Sequence, residues 1–343
     1  MRVLFRSSFD RWTGYGNDAV DIAVTLEKLG ADVVPVADGM QAGLPREFTR
    51  LLEKEPYGSY DAVLQFAPPF DIKPWRLFGS ERRFGWTMWE RTPMVDTDFD
   101  DDVRWEKHRW SGMKRMFVTC QMNVAALQAQ DDRVPLTIAP CGVAEWPDFD
   151  RPIDRRMVFL MIGMLAGRKD PFLLLDVWRE LKHEHPEFDA VLVLKTAAAG
   201  LHPQLEQMYP DVRLISKVWG PGEVAGLYAN CDVLVSVSRG EGNNKPAMEF
   251  MASGGAVMAS DWSAHRNWLH EDWAYPLSGE VVQAPGGWSD FRVDRDRLKE
   301  RLLECWMDRE TVKEKGRIAR GVMLSDFSWE KRVEVVYRQM LLS

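Results

Sequence analysis

Short apolar runs alternate with segments of helical periodicity along the whole chain. The strand-like runs are RVLF, DVVPV, DAVLQF and RMFVT in the first half, and VFLMI, AVLVLK, VRLI, DVLVSV and AVMAS in the second. Residues 18–29 repeat apolar side chains at helical spacing and stop before Gly30, a residue suited to a left-handed helix end. Strands that alternate with helices in this way predict parallel α/β construction in both halves.

The length of the chain and one interruption predict two domains. A chain of 343 residues exceeds the roughly 250–300 residues that one core can serve. The alternation breaks at residues 145–156, where two prolines and dense charge interrupt it. We therefore predict a first domain over residues 1–146 and a second over residues 147–325. Residues 326–343 have helical spacing, and we expect this last helix to pack back on the first domain.

The composition is that of a globular protein, with 45% hydrophobic and 28% charged residues. No run approaches the roughly 18 apolar residues of a membrane span, and the N-terminus lacks the long apolar stretch of a signal peptide. These features predict a cytoplasmic protein without a membrane span. The four cysteines form no CxxC pair, so neither a zinc site nor a disulfide framework is expected.

The strongest chemical pattern is a pair of glutamates, Glu241 and Glu249, around a glycine-containing loop and Pro246. Proline suits the first turn of a helix, so we expect a helix from about residue 245 to 252, with Glu241 on the loop before it. The free N–H groups at such a helix start suit an anion or sugar hydroxyls. The loop follows a predicted strand, and open α/β sheets bind ligands at that end. A solvated helix face is the alternative interpretation.

Residues 238–254, SRGEGNNKPAMEFMASG, resemble the family-four retaining glycosyltransferases, whose hallmark is two glutamates separated by seven residues. Residues 159–178 and 212–238 resemble the preceding segments of that family, in the same order. The resemblance implies an α/β protein of the GT-B fold, with two doubly wound Rossmann-like domains facing across a cleft. It also implies hexosyl transfer from a nucleotide-diphosphate sugar to an acceptor hydroxyl, with retention and without a metal. The only co-substrate implied is the sugar nucleotide, UDP- or GDP-linked.

The resemblance assigns roles to particular residues of the second domain. Arg168 and Lys169 would hold the diphosphate, and Glu241 would position the sugar. The family often has an arginine where this chain has Met164, and Arg168 or Lys195 are candidates to replace it. We expect Asp170 and Pro171 to start the next helix, so that two cations and a helix N-terminus converge on the phosphates. The other predicted donor-binding residues are Gly163, Lys195, Lys217 and Val218 near the base, Gly242, Asn243, Asn244, Lys245, and Glu249 at the ribose.

Two features of the first domain are further candidates. Gly14, Tyr15 and Gly16 follow the first strand, where glycines let backbone N–H groups approach a donor; an ordinary strand-to-helix turn is the alternative. Glu90 follows the strand-like residues 84–88 and is predicted to orient or deprotonate the acceptor hydroxyl; a structural hydrogen bond is the alternative.

The sequence does not identify the acceptor: a lipid, a small molecule, a glycan, a protein and a modified nucleic acid are all possible. Residues 104–115 combine basic side chains with tryptophans, which suits an anionic acceptor or an amphipathic surface helix. The acidic run at residues 96–102 is interpreted as a solvated loop and not as a metal site. Two rival functions stay open as well, a nucleotide-sugar epimerase of the same fold and a non-catalytic carbohydrate- or nucleotide-binding protein.

Overall fold

The computed structural model describes residues 1–11, 13–39, 43–72, 82–92, 94, 110, 112–164, 167–197, 209, 212–284 and 287–343. The chain divides into two compact units. The first contains Met1–Gly142, Gln283–Ser289 and Phe327–Ser343, and the second contains Val143–Val282 and Asp290–Asp326.

The first unit is built on a parallel sheet of six strands in the order β2-β1-β3-β4-β5-β6. Pro35 lies in β2, at the sheet edge, where a residue without an N–H group is tolerated. The strands are β1 Arg2–Ser7, β2 Asp32–Ala37, β3 Ala62–Phe66, β4 Arg83–Thr87, β5 Arg115–Val118 and β6 Leu136–Ile138.

The second unit has its own parallel sheet, in the order β12-β11-β10-β7-β8-β9. Counted from β7, this is the doubly wound order 3-2-1-4-5-6, which reverses direction between β7 and β10. The strands are β7 Met157–Ile162, β8 Ala190–Thr196, β9 Val212–Ser216, β10 Val233–Ser236, β11 Ala256–Ser260 and β12 Tyr275–Leu277, and β13 Gly279–Gln283 pairs with β14 Ser289–Val293.

Helices connect these strands and follow the last of them. They are α1 Gly14–Lys28, α2 Arg46–Leu52, α3 Gln121–Gln128, α4 Pro171–Glu184, α5 Pro221–Ala229, α6 Lys245–Ala252, α7 Arg295–Met307, α8 Arg309–Asp326 and α9 Trp329–Leu342. Among the described residues, no helix is both long and apolar enough to cross a membrane. The strand and helix alternation confirms the α/β fold class predicted from the sequence.

Each unit has its own hydrophobic core. In the first, α1 and β1–β5 contribute to one cluster that also includes Trp329, Val333, Val336 and Met340 of α9. In the second, β7, β8 and β10 are covered by apolar side chains of α4 and α7. Cys120, Cys141, Cys231 and Cys305 are buried.

The start of one helix and the presence of four short strands differ from the sequence prediction. Helix α1 begins at Gly14 and not at residue 18, because Thr13 caps it: its hydroxyl accepts the Gly16 N–H at 3.0 Å. The short strands β6 and β12 and the β13/β14 hairpin were not predicted from the sequence. Helix α6 has the predicted bounds.

Helix α8 approaches the end of α6 backbone to backbone. A Cβ atom on Gly316 would lie 2.3 Å from the carbonyl oxygen of Gly254, which follows α6 with a φ of 80°. Gly321 lies on the same helix and has no atom within 4 Å of the corresponding position. Gly316 is therefore required by close packing, and this contact supports the end of the helix that carries Glu249.

Substitution of these two glycines should have opposite effects on stability. Gly316→Ala forces α8 away from a backbone carbonyl, and we expect it to lower the free energy of unfolding by about 1–3 kcal/mol. Gly321→Ala is the matched control, and it should stabilise α8 by about 0.5–1 kcal/mol because alanine restricts the unfolded chain more than glycine does. Urea unfolding followed by circular dichroism measures both, and equal effects at the two positions would contradict the packing argument.

Candidate functional site

The candidate site lies at the carboxyl ends of β7, β10 and β11. The sheet order reverses between β7 and β10, and open α/β sheets bind ligands at such a switch point, beyond the carboxyl ends of the strands. The loop after β7 carries Arg168 and Lys169 in a short 3-10 turn, Gly167–Lys169. The loop after β10 carries Glu241, and the segment after β11 begins a second 3-10 turn, Ser263–Asn267.

Glu241 is the centre of this site and is only 3% exposed. Its Oε2 atom is 2.8 Å from Nη1 of Arg168, and its Oε1 atom accepts a hydrogen bond from Nζ of Lys169. Its backbone N–H donates to the hydroxyl of Ser263 at 2.9 Å. Glu241, Arg168 and Lys169 together carry one net positive charge, which favours an anionic ligand.

The pKa of Glu241 reflects two opposing effects. Burial would raise it, but the positive charges of Lys169 and Arg168 lower it to about 2. Glu241 is therefore a charged acceptor at neutral pH. It can accept hydrogen bonds from hydroxyl groups, and it cannot donate a proton as a general acid.

The loops after β7 and β10 are tied to each other. The N–H group of Arg239 donates to the carbonyl of Arg168 at 2.7 Å, and Nη1 of Arg168 donates to the carbonyl of Gly240 at 3.0 Å. Asp170 precedes Pro171, the first residue of α4, as predicted. However, its carboxylate does not cap the helix and instead pairs with Nε of Arg239 at 3.0 Å. The amides that start α4 are thus not occupied by the Asp170 side chain.

Three non-glycine residues in the described part of the chain have positive φ, and all three border this site. They are Asp170 at 49°, Asn244 at 62° and Ser263 at 53°. Such conformations cost on the order of 1–3 kcal/mol each and persist where the surroundings enforce them. Each of the three side chains forms a hydrogen bond or ion pair with another loop of the site. The strain is therefore concentrated where the loops meet.

The loop from Gly242 to Lys245 leads from Glu241 into α6. Gly242 and Asn243 are buried, and Lys245 is the half-buried first residue of the helix. The amide nitrogen Nδ2 of Asn243 is buried without a hydrogen-bond partner among the described residues. Asn244 is the N-cap residue, and its carbonyl accepts the first helical hydrogen bond, from Ala247 at 3.1 Å.

Glu249 lies one turn inside α6, as predicted, and is half-buried. Its Oε2 atom and the carbonyl oxygen of Pro246 each lie 3.3 Å from the buried hydroxyl of Tyr228, so these two acceptors share the single phenol proton. Burial and the Glu249 charge raise the pKa of Tyr228 well above its usual value, so this phenol stays a donor. Tyr228 therefore fixes one oxygen of the carboxylate.

One of the remaining predicted residues, Lys195, has an internal role that the sequence did not reveal. Lys195 is 5% exposed, and its Nζ donates to the carbonyls of Lys217, at 2.6 Å, and Thr196, at 3.2 Å. Burial lowers the pKa of Lys195. Lys195 therefore braces the loop after β9, while Lys217 and Val218 on that loop are exposed.

Gly163 and Met164 directly follow β7. Gly163 has a φ of 140°, and a Cβ atom there would lie 3.4 Å from Cε of Lys169. Met164 is 70% exposed. Lys169, which lies next to Gly163, forms an ion pair with Glu241. Arg168, from the same 3-10 turn, forms a second ion pair with Glu241.

In the first unit, Gly14, Tyr15 and Gly16 form the first turn of α1 and not a separate loop. A Cβ atom on Gly16 would lie 2.2 Å from Oδ2 of Asp10, so this glycine is required by close packing. The N–H of Gly16 already donates to Thr13, as described above. Asp10 also accepts the N–H of Thr13 at 2.6 Å, which places a carboxylate near this helix start.

Tyr15 and Glu90 lie near the end of β4 in the same unit. The hydroxyl of Tyr15 donates to the carbonyl of Met88 at 2.7 Å, and burial raises the pKa of Tyr15 far above its usual value. Glu90 is half-buried, three residues beyond β4, and its charge contributes to that shift. Tyr15 is thus committed to a structural hydrogen bond. The predicted role of Glu90 stays a prediction.

Two predicted segments lie wholly or mostly outside the described residues. These are the acidic run at residues 96–102 and the basic, tryptophan-containing stretch at residues 104–115. Within the described residues, no group of three or more histidine, cysteine, aspartate or glutamate side chains is arranged to hold a metal ion.

His265 was not identified from the sequence, although it belongs to the site. It is fully buried, and its Nδ1 lies 2.8 Å from the carbonyl oxygen of Ser260 while its Nε2 lies 2.8 Å from Nδ2 of Asn244. Burial lowers the pKa of His265 to about 4, more than the nearby Glu241 charge raises it. The signal that was available is the polar run DWSAHRNW, which follows β11 at the same sheet edge as Glu241.

Residues 156–283 match the family described as "Glycosyl transferases group 1". No curated protein matches the chain. Among solved structures, sucrose-phosphate synthase from Thermosynechococcus elongatus has a TM-score of 0.71 at 15% identity, with 99% of each chain covered. HepE of Anabaena in complex with UDP-glucose has a TM-score of 0.67 at 12% identity, with all of both chains covered. WaaG, a glycosyltransferase involved in lipopolysaccharide biosynthesis, has a TM-score of 0.65 at 13% identity, covering 98% of this chain and 99% of WaaG. The chain therefore has the GT-B fold, as predicted.

Removal of one of the two cations beside Glu241 should lower the free energy of unfolding. Lys169→Met leaves Glu241 buried with Arg168 alone, and we expect the free energy of unfolding to fall by at least about 2 kcal/mol. Adding Glu241→Gln removes the charge that needs a partner, so the double variant should recover most of this loss. Urea unfolding of the two single variants and the double variant tests this. If the two losses simply add, the ion pair does not carry the effect.

The unfolding free energy should also depend on pH through His265. Its pKa is about 4 in the folded protein and about 6.5 in an unfolded chain, so the unfolded state binds the proton first as the pH falls. The stabilisation is complete above about pH 6.5 and is lost by about pH 4, on the order of 3 kcal/mol. Glu241, whose pKa is about 2, loses its contribution in a lower window, between about pH 4.5 and pH 2.

His265→Gln cannot titrate and serves as the reference for this measurement. The difference in unfolding free energy between wild type and variant should shrink as the pH falls from 6.5 to 4. Glu241, Lys169 and Arg168 face His265 in both proteins, so their contributions largely cancel. A difference that stays constant over this range would contradict a buried neutral histidine.

Proposed function

We propose that this protein transfers a sugar from a nucleotide-diphosphate donor to an acceptor hydroxyl, because residues 156–283 match the group 1 glycosyl transferases and the chain has the GT-B fold. The observation that carries the proposal is the buried Glu241 held by Arg168 and Lys169 at the switch point of the second sheet. We further propose that transfer proceeds with retention at the anomeric carbon. The protein would act in the cytoplasm.

The diphosphate of the donor would be held by Arg168 and Lys169. These two cations exceed the charge of Glu241 by one, and the N-terminus of α6 adds a partial positive charge at the same loop. A guanidinium group suits the geometry of phosphate oxygens, so Arg168 is the residue that we propose to contact the diphosphate directly. We propose that this arrangement, and not a metal ion, stabilises the charge that develops on the leaving diphosphate.

The sugar and ribose would be bound by the two glutamates. Glu241 is ionised and can accept hydrogen bonds from sugar hydroxyls, while Lys169 and Arg168 keep it from approaching the anomeric carbon as a nucleophile. Front-face attack assisted by the leaving phosphate is therefore the mechanism that we propose for retention. Glu249, oriented by Tyr228, would accept from the ribose hydroxyls. The unpaired amide of Asn243 would gain an acceptor from the donor.

The loop after β9 would lie near the base of the nucleotide. Its exposed residues Lys217 and Val218 would contact the base, and Lys195 would hold the loop from below through its two carbonyl hydrogen bonds. In the first unit, Glu90 would orient or deprotonate the acceptor hydroxyl. The nature of the acceptor is left open by this proposal.

A donor screen by thermal shift tests the proposal. UDP-glucose comes first, because HepE of Anabaena was solved with it, and GDP-, ADP- and TDP-sugars follow. A donor present at 100 times its Kd should stabilise the wild type by about 2.7 kcal/mol. Glu249→Ala should lose most of that gain, because the ribose loses its acceptor. Glu187→Ala, an exposed carboxylate after α4, is the matched control and should respond as the wild type does.

The reaction itself is tested by product analysis with the stabilising donor. Retention predicts a product with the same anomeric configuration as the donor, measured by NMR, and metal independence predicts an unchanged rate in EDTA. An epimerised nucleotide sugar without transfer would replace this proposal by an epimerase. If no nucleotide sugar stabilises the wild type, the donor-site assignment is wrong.

A further inference from the structure

Asn244 stands at a backbone position that favours glycine. Its φ of 62° and ψ of 59° lie in the left-handed region, at the point where the Glu241 loop becomes helix α6. The residue is 6% exposed, so water does not solvate its side chain. Asparagine adopts this conformation more readily than most residues but less readily than glycine, so side-chain contacts contribute to holding it.

The side chain of Asn244 is held from two strands. Its Nδ2 lies 2.9 Å from Oγ of Ser236, the last residue of β10, and 2.8 Å from Nε2 of His265, after β11. An amide NH2 group has two hydrogens, and these two acceptors use both. The side chain therefore points back towards the sheet and is not available to a ligand in this arrangement.

The second nitrogen of His265 fixes which way this hydrogen bond runs. Nδ1 faces the carbonyl of Ser260 at 2.8 Å, and a carbonyl only accepts, so Nδ1 carries the proton. Nε2 is then the acceptor for Asn244. The imidazole is fully buried and packs edge-to-face against Trp268, with ring centroids 5.1 Å apart, so its orientation is set independently of Asn244.

We infer that His265 is a positioning residue for donor binding: through Nε2 it holds Asn244 left-handed, and so it sets the path of residues 242–245 and the amides that start α6. This inference rests on the proposed function, since it concerns the loop assigned to the donor. His265 stabilises a left-handed backbone conformation that a glycine at position 244 would adopt without support. It follows that His265 is needed only while an asparagine occupies that position.

The test is a cycle of His265→Ala, Asn244→Gly and the double variant, with donor Kd and steady-state kinetics measured for each. His265→Ala should raise the Kd and KM for the donor about tenfold, with kcat changed less than about threefold, because the loop loses its fixed conformation but the reacting groups stay. In the double variant, Asn244→Gly should recover most of the lost affinity, because glycine adopts the left-handed conformation without support. A merely structural histidine would leave the double variant at least as impaired as His265→Ala.

Two further variants complete the test. His265→Gln places an amide oxygen near the position of Nε2 and should retain affinity, which keeps the test valid if the alanine variant does not fold. His270→Ala, an exposed histidine of the same segment, is the matched control and should bind the donor as the wild type does.

The failure of this inference differs from the failure of the proposed function. If the wild type binds no nucleotide sugar, the function is wrong and this inference falls with it. If the wild type binds a donor and His265→Ala binds it equally well, or if Asn244→Gly gives no recovery, the positioning role alone is overturned.

Discussion

A carboxylate that is almost completely removed from water stays ionised only with positive charge close by, and Glu241 creates this requirement on the loop after β10. Neither Arg168 nor Lys169 is near it in sequence; both arrive from the loop after β7. The charge can be satisfied only if that loop and the loop after β10 keep a fixed relation. The hydrogen bonds between Arg239, Arg168 and Gly240 supply this relation, and the parallel sheet brings the loops to the same edge.

The strained residues of the site follow from the same constraint. Three loops must turn sharply within a small region while their side chains reach one another. Asp170, Asn244 and Ser263 adopt left-handed conformations for this reason, and each is compensated by a hydrogen bond or ion pair to a neighbouring loop. A site of this kind is rigid before a ligand arrives, which lowers the entropy lost on binding.

Much of this arrangement could be predicted from the sequence, because it follows from local patterns. The alternating periodicities indicate parallel sheets, and the proline after the glycine-containing loop sets the start of α6. The positions of Glu241 and Glu249 relative to that helix follow directly. The hydrogen-bond partners of long or buried side chains could not be predicted, because they depend on the three-dimensional arrangement of the loops. Lys195 points under the loop after β9, Asp170 reaches Arg239 instead of its own helix, and His265 meets Asn244 across twenty-one positions of sequence. No spacing rule connects such partners.

The close contact between Gly316 and Gly254 requires that one particular position of α8 faces the end of α6. A helix advances about 100° per residue, so a single inserted residue between positions 309 and 316 would turn Gly316 away and bring Lys315 into its place. A side chain cannot occupy a gap in which a lone Cβ would lie 2.3 Å from a carbonyl oxygen. The length of the first two turns of α8 is therefore fixed by a loop end some sixty positions earlier. Insertions and deletions tolerated by this chain should be confined to other connections.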